Sequence, residues 1–329
     1  MPYGHIGVIG AGSWGSALAL VAADAGRAVT LWAREAQVAA SVKAHHENAL
    51  YLPGIRLPQA IVPTTDLARA AESDAVLVVV PAQHLRALLE RAGPLFKRDT
   101  PVVVCAKGVE RDTGKLMTEI LRDVVPDVEP AILSGPSFAS DVGLRLPTAV
   151  TIAARMPVAE RLQATLGSAQ FRPYASDDLV GVALGGAAKN VYAIACGIVD
   201  GLGLGESARA ALLARSFAEL CRLGEVMGAR SETLMGLSGL GDLVLTATSP
   251  TSRNFKFGHA IGSGHTRTEL FASGRPLAEG VETAPALLAR ARRHGVELPV
   301  AEAVAQILDG SLMLEAAVPR LMMRPLKAE

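Results

Sequence analysis

Short runs of consecutive apolar residues alternate with helical stretches in the first half of the chain. Continuous apolar runs are typical of strands in a parallel sheet that is covered on both faces. They predict strands at 5–10, 28–32, 75–81, 101–106, 130–135, 148–153 and 171–176. Two of the helical stretches between them end at Gly26 and Gly93, each expected as a C-cap. Repeated βα units of this length predict an α/β fold with a doubly wound, Rossmann-type sheet.

The pattern changes near residue 177. Ala- and Leu-rich stretches, separated by glycine-rich turns, replace the strand-like runs and predict helices at 178–199, 206–227, 281–294 and 299–309. We therefore expect an α/β domain over 1–177 and an all-helical domain over 178–329. A chain of 329 residues agrees with two domains, because single cores rarely grow beyond roughly 250 residues.

Composition narrows the classes of protein. Lys plus Arg equal Asp plus Glu at 32 each, so neither nucleic acid nor an anionic membrane surface is expected as a partner. Residues 179–199 are apolar enough to look membrane-spanning, but Lys189 and Asn190 at their centre favour a buried helix instead of membrane insertion. The start of the chain lacks a signal-peptide pattern, which favours a cytoplasmic protein.

Three isolated cysteines fit neither disulfides nor a metal site and are expected as buried, reduced thiols: Cys105, Cys196 and Cys221.

A glycine-rich turn follows the first predicted strand directly and opens a helix. Gly10, Gly12 and Gly15 form the pattern G-x-G-x-x-G. In this context the first glycine allows a tight turn, the second a close approach of a pyrophosphate, and the third close helix packing. The pattern therefore favours a dinucleotide site over a purely structural turn. Trp14, inside the turn, lies near the pyrophosphate in this interpretation, or packs into the core.

The end of the second predicted strand bears on which dinucleotide binds. Arg34 is suited to hold a 2′-phosphate, whereas Glu35 could accept from a free 2′-hydroxyl. We expect NADP(H) to be favoured, with NAD(H) accepted. The alternative is that both charges are solvated at a helix start.

Polar residues at the ends of two later strands could reach a ligand. Lys107 follows the fourth predicted strand, at the edge where parallel sheets bind their ligands, and could contact an anionic or carbonyl group. One strand later, Gly135, Ser137 and Ala139 could offer backbone groups and one hydroxyl. The alternatives are a solvated lysine and ordinary turn residues.

Lys189 lies among apolar neighbours on a predicted helix. An unpaired buried ammonium is costly, and a lysine in such surroundings is a suitable general acid or base. Asp242, in another apolar stretch, could hold Lys189 charged and oriented. The alternative is that Lys189 extends from a surface helix into water.

A helix start at 252–254 combines a hydroxyl, a guanidinium and an amide. Ser252, Arg253 and Asn254, together with the helix N–H groups, suit a phosphate monoester. Taken alone, these residues would be an ordinary helix cap.

With these segments in this order, the chain resembles the bacterial-type NAD(P)-dependent glycerol-3-phosphate dehydrogenases over nearly its full length. The segments are "IGAGSWGSALA", "NALYLPGIRLP", "VVVCAKGVE", "SGPSFA", "LGGAAKNVYAIACGIVDGLG", "GLGDLVLTATSPTSRNFKFG" and "AEGVET". The resemblance implies reduction of dihydroxyacetone phosphate to sn-glycerol 3-phosphate, a precursor of glycerophospholipids. It also implies a helical domain similar to that of 6-phosphogluconate dehydrogenases. Oligomeric state stays open, with a homodimer as one expectation.

The resemblance also implies roles for individual residues. Lys189 corresponds to the proton donor in reduction and acceptor in oxidation. Cofactor contacts fall on Ser13, Trp14, Arg34, Lys107, Ala139, Arg253, Leu277 and Glu279. Substrate contacts fall on Lys107, Gly135, Ser137, Asp242, Ser252, Arg253 and Asn254. Ser137 stands where many members have Thr, and Leu277 with Ala278 replaces a more usual valine pair.

Two other functions compete with this expectation. One is a dehydrogenase of the same plan that acts on a sugar acid or a branched hydroxy acid, which would not need the phosphate-binding segment. The other is a nucleotide sensor without catalysis, which would not need a buried proton donor.

Overall fold

An eight-stranded sheet forms the centre of the first part of the chain. The structure, a computed structural model, describes residues 1–272 and 278–322. The strands are β1 (His5–Ile9), β2 (Ala28–Trp32), β3 (Glu47–Asn48), β4 (Leu52–Arg56), β5 (Ile61–Thr64), β6 (Ala75–Val78), β7 (Pro101–Val104), β8 (Glu129–Ser134), β9 (Thr148–Ala153) and β10 (Phe171–Ser176). The large sheet has the order β10-β9-β8-β7-β6-β1-β2-β5, and β3 pairs with β4 in a separate hairpin. The Rossmann-type sheet is confirmed.

Helices cover both faces of this sheet. They are α1 (Ser13–Asp24), α2 (Ala36–His45), α3 (Leu67–Ala71), α4 (Leu85–Ala92), α5 (Met117–Val124), α6 (Ala139–Gly143) and α7 (Met156–Leu166). One buried cluster contains Val8, Leu77 and Val103, and the other contains Val76 and Val102. Neighbouring residues of one strand therefore enter different clusters, because successive side chains point to opposite faces. This explains why the strands are continuously apolar.

The structure differs from the sequence-based expectation at three places. The β3–β4 hairpin and the edge strand β5 were not predicted. Strand β9 runs antiparallel to β8, whereas the other neighbours in the large sheet are parallel. Gly93 is the C-cap of α4, as predicted, although its φ is −52° and the chain continues into a 3-10 turn over Gly93–Leu95.

The remainder of the described chain is helical. Its helices are α8 (Leu179–Gly201), α9 (Gly205–Val226), α10 (Ser231–Met235), α11 (Asp242–Thr248), α12 (Arg253–Gly262), α13 (Arg267–Ala272), α14 (Glu279–Arg293), α15 (Pro299–Asp309) and α16 (Leu314–Met322). A π-helical turn over Leu237–Gly241 precedes α11. The prediction of a helical second half is confirmed over the described residues.

The chain divides into two compact units. Unit 1 comprises Met1–Lys107 and Leu116–Ala183, and unit 2 comprises Gly108–Lys115 and Leu184–Glu329. The short segment Gly108–Lys115 thus belongs to the helical unit, although the residues on either side of it in the chain belong to the sheet unit.

Helix α8 is long and apolar enough to cross a membrane by length and composition. Its most apolar window is wholly buried inside the protein, as in the central helix of a folded unit. Close packing explains part of this burial, since a Cβ on Gly258 of α12 would lie 2.1 Å from the carbonyl oxygen of Ile194 in α8.

All three cysteines are free thiols. Cys105 and Cys196 are buried, and burial raises the pKa of both thiols, that of Cys196 to about 12. Cys221 is only partly buried, so the expectation of a core position is wrong for this residue.

Candidate active site

The glycine turn between β1 and α1 contains two glycines that the fold requires. Gly10 has φ +116°, and a Cβ there would lie 2.4 Å from the carbonyl oxygen of Val79. A Cβ on Gly15 would lie 1.7 Å from the carbonyl oxygen of Gly10. Gly12 is different, because its φ is −74° and a Cβ would meet nothing within 4 Å. The absence of a side chain at Gly12 therefore keeps space open beside the turn.

Helix α1 begins at this open space. Gly12 is its N-cap, no side chain caps its first N–H groups, and its first turn carries no acidic residue. The first N–H groups of a helix have no intrahelical partner and carry partial positive charge, so they attract anions. An open space at a helix N-terminus directly after a strand fits the pyrophosphate of a dinucleotide.

Ser13 and Trp14 lie in the first turn of α1. The Ser13 hydroxyl donates to the backbone carbonyl of Tyr51 at 2.6 Å. The Trp14 ring packs against the sheet core, and its Nε1 is buried without a hydrogen-bond partner among the described residues. A buried indole N–H usually has an acceptor, so this atom is consistent with a ligand oxygen at the turn.

Arg34 and Glu35 follow β2. The Arg34 guanidinium donates to Glu35 Oε1 from Nη2 at 2.6 Å and from Nε at 3.1 Å. The Arg34 side chain is 73% exposed, and Glu35 raises its pKa further above the usual value. Both charges are thus placed after β2, and they pair with one another.

The ends of β7 and β8 bring two predicted site residues together. Lys107 Nζ donates to the carbonyl of Gly135 at 3.0 Å, and the Ser137 hydroxyl donates to the same carbonyl at 3.1 Å. Ala139 is the first residue of α6, which follows. Lys107, Gly135 and Ser137 therefore form one polar cluster at the carboxyl edge of the sheet.

A buried ion pair connects α8 to α11 in unit 2. Lys189 Nζ donates to Asp242 Oδ1 at 2.5 Å and to the Thr246 hydroxyl at 2.9 Å. Lys189 is 7% exposed and Asp242 is fully buried. Asp242 and Thr246 lie four residues apart on α11, so both side chains face the same side of that helix. Because charges are costly to bury without a partner, the carboxylate stabilises the ammonium form of Lys189.

Two asparagines connect the elements around this pair. Asn254 Nδ2 donates to Asn190 Oδ1 at 2.9 Å, and Asn254 Oδ1 accepts from the backbone N–H of Gly280 at 2.9 Å. Asn190 directly follows Lys189, and Gly280 lies in the first turn of α14. Asn254 therefore links α12 to both α8 and α14.

Three other predicted site residues lie at the starts of α12 and α14. Ser252 is the N-cap of α12, and its hydroxyl accepts from the N–H of Phe255 at 3.2 Å. Arg253, the first residue of that helix, is exposed. Glu279 begins α14. Leu277 lies outside the described residues.

A second buried carboxylate in unit 2 has different partners. Glu219 of α9 is 3% exposed and accepts from the N–H groups of Val300 and Ala301 at 2.7 and 3.3 Å, at the start of α15. The phenol of Tyr192 donates to it at 3.4 Å. Burial raises the pKa of Glu219 to about 7, against the lowering effect of these backbone hydrogen bonds.

Sequence reasoning missed several residues of these clusters. Thr246 and Asn190 are absent from the predicted sites, although spacing pointed to both: Thr246 is four residues after Asp242, and Asn190 adjoins Lys189. Asn48, whose side-chain amide donates to the Ala11 carbonyl and the Ser16 hydroxyl beside the glycine turn, was missed as well, although it begins the segment "NALYLPGIRLP" that contributes to the resemblance.

Comparison with known proteins agrees with the resemblance. Residues 5–159 match the N-terminal family model of NAD-dependent glycerol-3-phosphate dehydrogenase, and residues 178–319 match the C-terminal model. The glycerol-3-phosphate dehydrogenase [NAD(P)+] of Parvibaculum lavamentivorans is 55% identical and covers 100% of this chain and 99% of its own length. That of a Bradyrhizobium species is 57% identical, with 98% of each chain covered.

A solved structure gives the same result. The crystal structure of glycerol-3-phosphate dehydrogenase from Coxiella burnetii has a TM-score of 0.92 at 38% identity, covering 98% of this chain and 99% of that one. The chain belongs to the family of NAD(P)-dependent glycerol-3-phosphate dehydrogenases.

Proposed function

We propose that this protein catalyses the reversible, NAD(P)H-dependent reduction of dihydroxyacetone phosphate to sn-glycerol 3-phosphate. The observation that carries the proposal is the buried contact of Lys189 with Asp242 and Thr246. A nucleotide sensor has no need of a buried, oriented ammonium, whereas the reduction of a ketone needs both a proton and stabilisation of a developing oxyanion.

In this proposal Lys189 is the general acid. NAD(P)H, when bound, would supply the hydride that the carbonyl carbon accepts. The Lys189 ammonium donates its proton to the carbonyl oxygen, so that the ketone becomes a secondary alcohol and the lysine becomes neutral. In the oxidative direction the neutral amine accepts that proton. Asp242 and Thr246 hold Nζ in place and favour its charged form before the transfer.

The nucleotide is proposed to bind in unit 1. Gly12 leaves room for the pyrophosphate, and the N–H groups at the start of α1 provide its donors. We assign Ser13, Trp14, Ala139 and Lys107 to the same ligand, with Lys107 also touching the substrate. The exposed Arg34 guanidinium would give a preference for NADP(H) by binding the 2′-phosphate in place of the Glu35 carboxylate.

The phosphate of the substrate is assigned to the start of α12. Arg253 supplies a charged fork of donors there, and Ser252 and Asn254 fix the helix end from which it extends. Gly135 and Ser137 are assigned to the substrate as well.

We further propose that residues 1–177 and 178–329 are the functional domains. We also propose that the reaction takes place in the cytoplasm and that its product serves glycerophospholipid synthesis.

Initial rates with two ketones and two nucleotides test the proposal. We expect turnover of dihydroxyacetone phosphate, faster with NADPH than with NADH, and little turnover of unphosphorylated dihydroxyacetone, because the phosphate contacts hold the small substrate in a reactive geometry. Equal activity on the two ketones would contradict the assigned substrate. Equal rates with both nucleotides at subsaturating concentration would remove only the role of Arg34.

A further inference from the structure

Asn48 is a fully buried polar residue that the reaction described above does not use. Its Nδ2 donates to the backbone carbonyl of Ala11 at 2.9 Å and to the Ser16 hydroxyl at 2.8 Å. Its Oδ1 accepts from the backbone N–H of Tyr51 at 3.2 Å. Both ends of the amide are thus engaged, and two of the three partners lie in the glycine turn and the first turns of α1.

The contact with Ala11 sets the direction of a peptide in the turn that is proposed above as the nucleotide site. The chain has no cis peptide bond among its described residues, so the Ala11 carbonyl and the Gly12 N–H point to opposite sides of their shared bond. When Asn48 holds the carbonyl on the protein side, the Gly12 N–H points away from Asn48. Gly12 is also the position whose missing side chain keeps space open.

A second hydrogen bond joins the β3–β4 hairpin to the start of α1. The Ser13 hydroxyl donates to the carbonyl of Tyr51, whose N–H in turn donates to Asn48. Residues 48–51 of the β3–β4 hairpin therefore hold the turn at Ala11, Ser13 and Ser16. Without Asn48, the Ala11 carbonyl would have to find another donor, and the 11–12 peptide could rotate.

We infer that Asn48 is a positioning residue for nucleotide binding, which fixes the 11–12 peptide so that the Gly12 N–H is presented to the diphosphate. A donor that is oriented before binding loses less free energy on association than one that must be ordered by the ligand. This inference rests on the nucleotide site proposed above for the glycine turn.

Variants of Asn48 test the inference through the dissociation constant of NADPH. Asn48→Ala removes all three hydrogen bonds. Asn48→Asp keeps the acceptor for Tyr51 but places an oxygen against the Ala11 carbonyl. We expect both to raise the dissociation constant about tenfold or more, as for loss of one hydrogen bond to a charged group. At saturating NADPH, kcat should stay within about threefold of the parent, since Lys189 and its partners are unchanged.

Ser16→Ala is the matched control. It removes one partner of Asn48 and leaves the contact with Ala11, so the NADPH dissociation constant should stay near that of the parent. If Asn48→Ala does not fold, Asn48→Ser replaces it, and thermal unfolding of each variant shows which preparations are native. An unchanged dissociation constant in the folded Asn48 variants would overturn the inference, and so would a kcat that falls as far as the affinity does.

Gly12→Ala separates this inference from the proposed function. A Cβ there meets no protein atom, so the fold should be unaffected while nucleotide binding weakens. If Gly12→Ala binds NADPH like the parent, the glycine turn is not the nucleotide site and both proposals fail. If Gly12→Ala weakens binding and the Asn48 variants do not, the positioning role alone is wrong.

Discussion

Asp242 and Glu219 are carboxylates of the helical unit that are buried to nearly the same extent, yet their partners differ in kind. Asp242 is 0% exposed and faces the ammonium of Lys189, whereas Glu219 is 3% exposed and faces two backbone N–H groups and a phenol. Asp242 has a full positive charge as its hydrogen-bond partner, while Glu219 hydrogen-bonds to dipoles. Burial raises the pKa of Glu219 to about 7, against the lowering effects of these hydrogen bonds and of the charge of Arg222.

Nearly equal burial thus accompanies two different environments, and these environments suit different roles. A carboxylate that accepts from the N–H groups at a helix N-terminus stabilises the position of that helix. Protonation of the carboxylate changes what this contact contributes to the free energy of unfolding. A carboxylate on a buried ammonium keeps a transferable proton in one place. We therefore assign Asp242 to chemistry and Glu219 to the stability of the α9–α15 contact, and substitutions can test this division.

Replacing each carboxylate by its amide should give the largest difference in kcat between the two positions. Asp242→Asn leaves Lys189 buried without its counter-charge, so a smaller share of the lysine is protonated at neutral pH. We expect kcat for dihydroxyacetone phosphate reduction to fall roughly 100-fold or more. Glu219→Gln makes the same chemical change outside the site and should keep kcat within about threefold. Similar losses of kcat in both variants would contradict the different roles proposed for Asp242 and Glu219.

Thr246→Val should have a smaller effect on the same step. Valine keeps the shape of threonine but removes the hydroxyl that accepts from Lys189 at 2.9 Å. Loss of one neutral partner, with Asp242 still present, is expected to lower kcat by about five- to tenfold. Steady-state kinetics at saturating NADPH measures this. A decrease as large as that of Asp242→Asn would mean that the hydroxyl matters as much as the carboxylate for Lys189, which contradicts the expected order of the two effects.

Glu219→Gln should change how stability depends on pH. The folded pKa of Glu219, about 7, lies above its ordinary value of 4.5, so the folded state holds the proton more tightly than the unfolded state. The parent should therefore lose stability as pH rises from about 4.5 to 7, by on the order of 1–3 kcal/mol for this group. The variant lacks this loss. Thermal unfolding at pH 5 and pH 8 measures the difference, and equal pH dependence in parent and variant would contradict the assignment.

Patterns that span a whole element were predictable from the sequence. The continuous apolar strands and the glycine turn have local causes, namely burial of both sheet faces and a required φ of +116° at Gly10. The β3–β4 hairpin had no such pattern, since Asn48 is a polar residue whose burial comes from partners 32 and 37 positions away. The direction of β9 and the π-helical turn before Asp242 likewise depend on tertiary packing. The Lys189–Asp242 contact is observed, whereas its catalytic role stays a prediction.

The central claim is that Lys189 transfers the proton, and Lys189→Met tests it most directly. Methionine fills a similar volume without a charge, so NADPH should bind with a dissociation constant near that of the parent. The account predicts that the single-turnover rate of NADPH oxidation by dihydroxyacetone phosphate falls about 10²- to 10⁴-fold. A rate within a few-fold of the parent, in a variant that still binds NADPH, would contradict it.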